Sequence, residues 1–156
     1  MARDHRKLRV FHDAHRLVLA IYRETKAFPN DEWFGIRQQM RRAATSMPTN
    51  IVEGSARLST SEYINFVIIA RGSAGELQYL IGLGCELGFL TADVFKSLDA
   101  KADSVVKQLQ RLLQELDILL AREREAKKQS GKIRNRDAEP KARTQSQEPT
   151  SGVQTP

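Results

Sequence analysis

The sequence predicts an all-α protein, an antiparallel up-down four-helix bundle followed by a disordered C-terminal tail. Apolar residues recur every three or four positions in four separate segments, which is the period of one helix face. Short polar connections separate these segments, and short connections favour antiparallel neighbours. Apolar residues become rare after residue 125, so residues 1–125 are predicted to form the bundle and residues 126–156 a disordered basic tail.

The first predicted helix runs from Phe11 to Ala27 and ends at the sequence Phe-Pro-Asn-Asp, because helices usually end before a proline. The second runs from about Glu32 to Ala56 and contains Pro48. Its apolar residues keep a helical spacing on both sides of that proline, although a proline inside a helix costs roughly 3 kcal/mol. We therefore predict one long helix that is kinked at Pro48, and a break into two helices is the alternative.

The third predicted helix begins after Ser59, which forms a capping-box pattern with Glu62, and it runs to about Leu87. Glycine inside a helix costs about 1 kcal/mol relative to alanine, so repeated glycines indicate close approach by a neighbouring backbone. The four glycines of this helix are Gly72, Gly75, Gly82 and Gly84.

The fourth predicted helix runs from Thr91 to about Arg124 and carries a heptad seam, which favours packing at shallow angles. A second apolar row lies beside the seam at intervals of seven. This row either widens the core face or packs on another subunit. The seam comprises Phe95, Leu98, Ala102, Val105, Leu109, Leu112, Leu116 and Leu119, and the second row comprises Val106, Leu113 and Leu120.

The net charge of +6 is concentrated at the two ends of the chain. Residues 1–9 carry a net +3 and residues 122–156 a net +4, whereas the remainder carries −1. Basic ends suggest contact with a polyanion. Cys85 is the only cysteine, and the chain has neither a signal-peptide pattern nor a membrane-spanning apolar run. These features predict a cytoplasmic protein that does not associate with a membrane.

No sequence motif points to catalysis. The phosphate-binding loop, the dinucleotide-binding glycines, and the zinc protease and serine hydrolase motifs are all missing. His12 and His15 lie three residues apart and can share a face, but two imidazoles without a third ligand fit surface histidines better than a metal site. The chain is therefore expected not to be an enzyme, with no catalytic residue, metal or cofactor.

The most distinctive polar cluster in the sequence is Arg37, Arg41 and Arg42 on the second helix. Their spacing places them on adjoining faces, and guanidinium groups bind phosphates through paired hydrogen bonds. These three arginines are predicted to bind nucleic acid. The alternative is that they pair inside the bundle or between subunits with glutamates such as Glu53 and Glu76.

With the helices assigned, residues 21–57 and 62–90 resemble the four-helix-bundle family of proteins encoded by 23S ribosomal RNA intervening sequences. The likeness covers about residues 8–120, and its departures are mild replacements of apolar residues at Ile36, Met47 and Val52. The matches that carry it are long and specific, and they include Phe28-Pro29, Arg41-Arg42-Ala43, Pro48, Asn50-Ile51 and Glu53-Gly54.

Four polar residues within the matching stretches are predicted to form a structural polar network. Asn50 and Glu53 lie one turn beyond Pro48 and can hydrogen-bond the loosened backbone or a neighbouring helix. Ser73 and Glu76 match the family pattern on the third helix.

The resemblance implies an up-down bundle that assembles into a pentameric ring and has no catalytic activity. The family is also similar to the accessory variability protein of diversity-generating retroelements, a basic bundle that binds nucleic acid and a reverse transcriptase. The expected partners are therefore copies of the chain itself, RNA or DNA, and a reverse transcriptase. We predict a non-enzymatic, homo-oligomeric nucleic-acid-binding accessory factor. A protein–protein interaction scaffold without nucleic-acid binding is the alternative.

Overall fold

Four helices form the molecule, as predicted, and the computed structural model describes residues 3–33 and 35–137. The helices are α1 (Arg9–Glu24), α2 (Ile36–Ser55), α3 (Thr60–Glu86) and α4 (Ala92–Asp137). Short 3-10 turns cover His5–Lys7, Thr25–Ala27 and Asn30–Trp33. Over the described residues, no strand is present and no helix is both long enough and apolar enough to cross a bilayer. The prediction of an all-α helical bundle is confirmed.

Contacts at both ends of α2 establish that neighbouring helices run in opposite directions. Ile36, at the start of α2, lies against Gly84 near the end of α3. Gly54, near the end of α2, lies against Tyr63 at the start of α3. The start of α2 also meets the end of α1, where Arg41 bonds Thr25. One continuous apolar core results, built from the inward faces of all four helices.

Pro48 lies inside α2, which is one helix from Ile36 to Ser55, so one helix through the proline is confirmed and the alternative of a break into two helices is wrong. Hydroxyl and amide side chains bond the carbonyls around it. The Thr49 hydroxyl donates to the Thr45 carbonyl at 2.8 Å, and the Asn50 amide donates to the Ser46 carbonyl at 2.7 Å. Burial of the α2 face on both sides, with Met47 and Ile51 fully buried, offsets the cost of the proline.

The start of α3 confirms the capping prediction, because the Ser59 hydroxyl accepts from the backbone N–H of Glu62 at 3.1 Å. The glycines of α3 behave differently from the prediction. Only Gly84 is approached closely, by Leu90 at 3.3 Å from the position of a Cβ atom. A Cβ at Gly72, Gly75 or Gly82 would meet no described atom within 4 Å, apart from the helix backbone beside it. Close packing inside the chain therefore does not explain these three glycines.

The buried face of α4 drifts away from the predicted heptad seam. Leu98 to Leu109 follow the seam, but further along Leu112 is half-buried and Leu119 is 39% exposed. Leu113, from the second row, is buried instead, and Val106 and Leu120 pack against the same core. A straight helix has 3.6 residues per turn, so its core face rotates by about 20° per heptad. The second row thus widens the core face of this bundle.

Helix α4 also continues past the predicted boundary, as far as Asp137. The chain divides into two units between Arg122 and Glu123, so the second unit begins inside α4. Residues 126–137 thus continue α4 where the tail was predicted to begin, and the rest of the predicted tail, 138–156, lies outside the described residues. Extending an existing helix needs no new nucleus, and the alanine, lysine, glutamine and arginine residues after residue 120 favour it.

Candidate nucleic-acid interface

Arg41 is bound to the end of α1, and among the side chains that the structure describes it pairs with no glutamate. Its Nε donates to the Thr25 hydroxyl at 2.9 Å, and Nη2 donates to the Tyr22 carbonyl at 3.4 Å. The guanidinium also lies 4.7 Å from the centre of the Tyr22 ring. Thr25 is fully buried and donates in turn to the Ile21 carbonyl at 2.7 Å. Arg41 therefore caps the C-terminal end of α1, where a positive charge is favourable.

The other two arginines of the predicted cluster differ in exposure. Arg42 is exposed, and within the part of the chain that the structure describes no hydrogen bond or ion pair engages its side chain. Arg37 is half-buried. Of the three predicted nucleic-acid-binding residues, Arg42 has the most freely available guanidinium. The helix places the three arginines on adjoining faces, but they differ in exposure and in the contacts they make.

A small polar cluster joins the middles of α2 and α3 and contains two of the four residues predicted to form a network. The Ser46 and Ser73 hydroxyls are 2.8 Å apart, and the Asn50 amide donates to the Ser46 hydroxyl at 3.0 Å. Glu53 lies elsewhere, half-exposed and paired with Arg57 at 2.8 Å. Glu76 is exposed. Both carboxylates remain in contact with solvent, which avoids the cost of burying a charge.

Sequence reasoning missed Ser46 as a member of this cluster. The sequence feature that could have identified Ser46 is its spacing of four residues from Asn50, which places the two side chains on one face of α2.

Helices α2 and α3 approach each other closely at Gly54. A Cβ atom at this position would be 2.7 Å from both Phe66 Cβ and Tyr63 Cδ2. Only glycine fits without a shift, because atoms in well-packed interiors do not approach so closely. The Glu-Gly pair that ends α2 therefore sets the distance between α2 and α3 at the end of the bundle where the chain begins.

The basic N-terminal segment is fastened to this same end of the bundle. The backbone N–H of Arg3 donates to the Ser55 carbonyl at 3.2 Å, and its Nη2 donates to the Thr60 hydroxyl at 2.6 Å. The guanidinium of Arg3 lies 5.0 Å from the centre of the Tyr63 ring. His5 adds a contact of 3.3 Å between its Nδ1 and the Ser55 hydroxyl. The N-terminal segment is thus held at Arg3 and at His5 by residues at the end of α2 and the start of α3.

Three further basic side chains follow on this fastened segment. Arg6, Lys7 and Arg9 are exposed, and Arg9 is 86% exposed although its Nε lies 3.5 Å from Asp13. We call Arg3, Arg6, Lys7 and Arg9 the basic edge. Its charges are held on an ordered backbone because Asp4 caps the 3-10 turn, and the His12 Nε2 group donates to the Arg6 carbonyl at 2.7 Å. The basic edge therefore presents a fixed array of positive charge.

A groove of about 520 Å³ continues the basic edge between the start of α1 and α4. Arg9, Lys107 and Arg111 line it, together with Asp103 and Glu115. Lys107 pairs with Asp103 at 2.6 Å. Because acidic side chains offset much of the positive charge, the groove adds little to the basic edge as a phosphate site.

The Tyr63 hydroxyl is buried beneath Arg3 and has no hydrogen-bond partner among the described residues. Burial raises the pKa of this hydroxyl above its ordinary value of 10.0, and the positive charge of Arg3 offsets part of that rise. Since the folded-state pKa is the higher one, the unfolded chain releases the proton first. Folding stability therefore falls as the pH rises above about 10.

Replacing Tyr63 by phenylalanine should increase the free energy of unfolding by about 1 kcal/mol, because an unpaired buried hydroxyl is removed. The variant should also lose part of the alkaline decline in stability. Urea unfolding of both proteins at neutral pH and above pH 10 measures the two effects. A Tyr63→Phe variant less stable than the wild type at neutral pH would show that the hydroxyl has a stabilising partner.

The described residues contain no group of three histidine, cysteine, aspartate or glutamate side chains placed to hold a metal ion. His12 and His15 both lie beside Phe11, with ring centres 5.4 and 6.4 Å from the Phe11 ring. His12 is further engaged by the Arg6 carbonyl. These contacts give the two histidines a packing role at the start of α1.

Comparison with known proteins gives a family and a fold. The model of the 23S rRNA-intervening sequence protein family matches residues 6–111. The crystal structure of a protein of unknown function from the S23 ribosomal protein family of Bacteroides thetaiotaomicron is similar, with a TM-score of 0.63 and 24% sequence identity. The similarity covers 67% of this chain and 95% of that chain, and at this identity it shows the fold alone. No curated protein matches the chain.

Proposed function

The chain belongs to the 23S rRNA-intervening sequence protein family, and the similar crystal structure is that of a protein of unknown function. We therefore propose a function from the charges and contacts on the surface of this protein. The protein is a non-enzymatic accessory factor that binds RNA or DNA as a homo-oligomer, and it acts in the cytoplasm. The observation that carries this proposal is the basic edge, whose positive side chains stand on a segment fastened to the bundle by Arg3.

A fastened array binds phosphates better than a free basic tail of equal charge. Ordering a loose segment on binding costs conformational entropy, whereas the contacts of Arg3 with Ser55 and Thr60 hold the backbone before a ligand arrives. No described acidic side chain forms an ion pair with Arg6 or Lys7, so the charges of these two residues remain available for a ligand. Arg42 adds one exposed guanidinium on α2, and Arg41 has the structural role of holding α1.

Assembly would strengthen this binding. A single copy offers few phosphate contacts, but a ring repeats the basic edge around its axis, and linked sites raise the overall affinity. A pentamer, which the likeness to the family suggests, would present five such edges. The resemblance to the accessory variability protein, which is an expectation from the sequence, is the basis for proposing a reverse transcriptase as the protein partner.

Titration of labelled single-stranded RNA and DNA with the intact protein tests the proposal. We expect sequence-tolerant binding to both, with an affinity that falls steeply between about 50 and about 200 mM salt because counterions are released. Sedimentation velocity on the same samples gives the oligomeric state. No binding at about 50 mM salt, by a protein that sediments as a folded species, would contradict the proposal.

A protein–protein scaffold is the second candidate, and the exposed apolar residues of α3 favour it. Ile68, Ile69 and Tyr79 are 52%, 51% and 69% exposed. Under this alternative the protein assembles with other protein surfaces and binds neither RNA nor DNA at low salt. The same titration and sedimentation runs distinguish the two candidates.

A further inference from the structure

The outward side of α3 combines apolar and acidic side chains. Ile68, Ile69 and Tyr79 supply the apolar part, and each is at least half exposed. Glu62, Glu76 and Glu86 lie on the same side, since Glu76 is three residues from Tyr79, and Glu62 and Glu86 are seven residues, or two helical turns, from Ile69 and Tyr79. We call these six residues the α3 outer face. Arg71 stands at its edge and is turned toward α4, where it donates to Gln110 at 2.6 Å.

Two glycines lie in the middle of the α3 outer face and are unexplained by packing within the chain. At Gly72 and Gly75 a Cβ atom would meet no described atom within 4 Å other than the adjacent helix backbone. Glycine weakens a helix relative to alanine, so open space alone does not favour it there. The absence of side chains at these two positions would allow the surface of another molecule to approach the α3 backbone closely.

The outward side of α1 has the opposite charge around a similar apolar centre. Leu19 and Tyr22 are 57% and 42% exposed. Arg16, Arg23 and Lys26 are exposed around them. Arg16 bonds Asp13, and Arg23 bonds Glu24 at 2.8 Å, but both arginine side chains remain largely in solvent, at 68% and 72% exposure. We call Arg16, Leu19, Tyr22, Arg23 and Lys26 the α1 outer face.

These two faces lie on opposite sides of the bundle. Helix α2 packs against both α1 and α3. Helix α4 also bonds both, through Gln108 to Asp13 of α1 at 2.8 Å and through Gln110 to Arg71 of α3. The two helices α1 and α3 are therefore diagonal, and their outer faces point away from each other.

We propose that the α3 outer face binds the α1 outer face of a second copy of this chain. Apolar centres meet, and the acidic rim of one face meets the basic rim of the other, so the contact is complementary in both respects. Because the two faces differ, every copy keeps one of each free for the next neighbour. Such a head-to-tail contact forms a ring if the rotation closes and a filament if it does not. This inference rests on the proposed homo-oligomer and assigns its interface.

Charge exchange between the two faces tests the pairing. The first variant, Glu76→Lys with Glu86→Lys, makes the α3 outer face basic, and the second, Arg16→Glu with Arg23→Glu, makes the α1 outer face acidic. Each should shift the mass at micromolar concentration toward the monomer value of 17.7 kDa. The chain that carries all four changes should regain the oligomer, because its faces are complementary again. Multi-angle light scattering after size exclusion gives each mass.

A matched control changes the same charges elsewhere. Glu115→Lys with Asp117→Lys alters two exposed acidic residues of α4 and should leave the oligomer intact. Circular dichroism verifies that every variant remains helical. An oligomeric wild type whose mass is unchanged in both double variants would overturn the pairing, as would a folded fourfold variant that stays monomeric. A monomeric wild type would instead overturn the proposed homo-oligomer itself.

Discussion

Replacing Gly54 by alanine is expected to lower the free energy of unfolding by about 2 kcal/mol. The added Cβ would lie 2.7 Å from Phe66 Cβ and from the buried ring of Tyr63, so α3 must move away from α2. Overpacking of this kind costs about 1–3 kcal/mol. The contact with Phe66 involves an atom attached to the backbone, which places the cost at the upper end, and the better helix propensity of alanine offsets about 1 kcal/mol.

Urea unfolding measures this change, and Gly131→Ala provides the control. Gly131 is also helical, but a Cβ there would meet no described atom within 4 Å outside its own helix backbone. The control should therefore keep or slightly raise the wild-type stability. If Gly54→Ala unfolds at the same urea concentration as the control, the close approach of α2 and α3 does not limit this position.

Replacing Arg41 by glutamine is expected to lower the free energy of unfolding by about 2 kcal/mol. The change removes the hydrogen bond to the buried hydroxyl of Thr25, the contact with the Tyr22 ring, and the positive charge at the end of α1. A hydrogen bond to a charged group contributes about 1.5–3 kcal/mol, and the ring contact adds about 0.5 kcal/mol. Glutamine can still donate one hydrogen bond, which limits the loss.

Arg42→Gln is the matched control on the next residue of the same helix. Because Arg42 is exposed, its replacement should change stability by less than about 0.5 kcal/mol. Thermal melts of the two variants give the comparison. Equal stabilities would mean that the contacts of Arg41 with the end of α1 contribute nothing measurable.

The helices were predictable because their apolar spacing reports burial directly. The α1 positions Val10, Ala14, Leu17 and Ile21 all lie in the core. The Ser59 cap was predictable because it depends only on residues close in the sequence. Pro48 could be placed inside one helix because the apolar pattern continues past it.

Contacts between distant parts of the chain could not be predicted from the spacing. Nothing local indicates that Arg41 reaches Thr25, sixteen residues earlier, because that contact depends on how α1 and α2 cross. The close approach at Gly54 likewise depends on the rings of Tyr63 and Phe66 on the next helix. The heptad spacing placed Leu112 in the core of α4, whereas the helix period of about 3.6 residues brings Leu113 there instead.

Comparison of two charge-neutralised variants in the RNA titration tests most directly whether the basic edge binds nucleic acid. Arg6→Gln with Lys7→Gln removes two charges from the edge, whereas Lys96→Gln with Lys101→Gln removes two exposed charges from α4. The first variant should bind at least about fivefold more weakly, and its salt slope should fall by about 1.4, since each single-strand phosphate contact contributes about 0.7. The second should bind like the wild type. Equal affinities and slopes for the two variants would contradict binding at the basic edge.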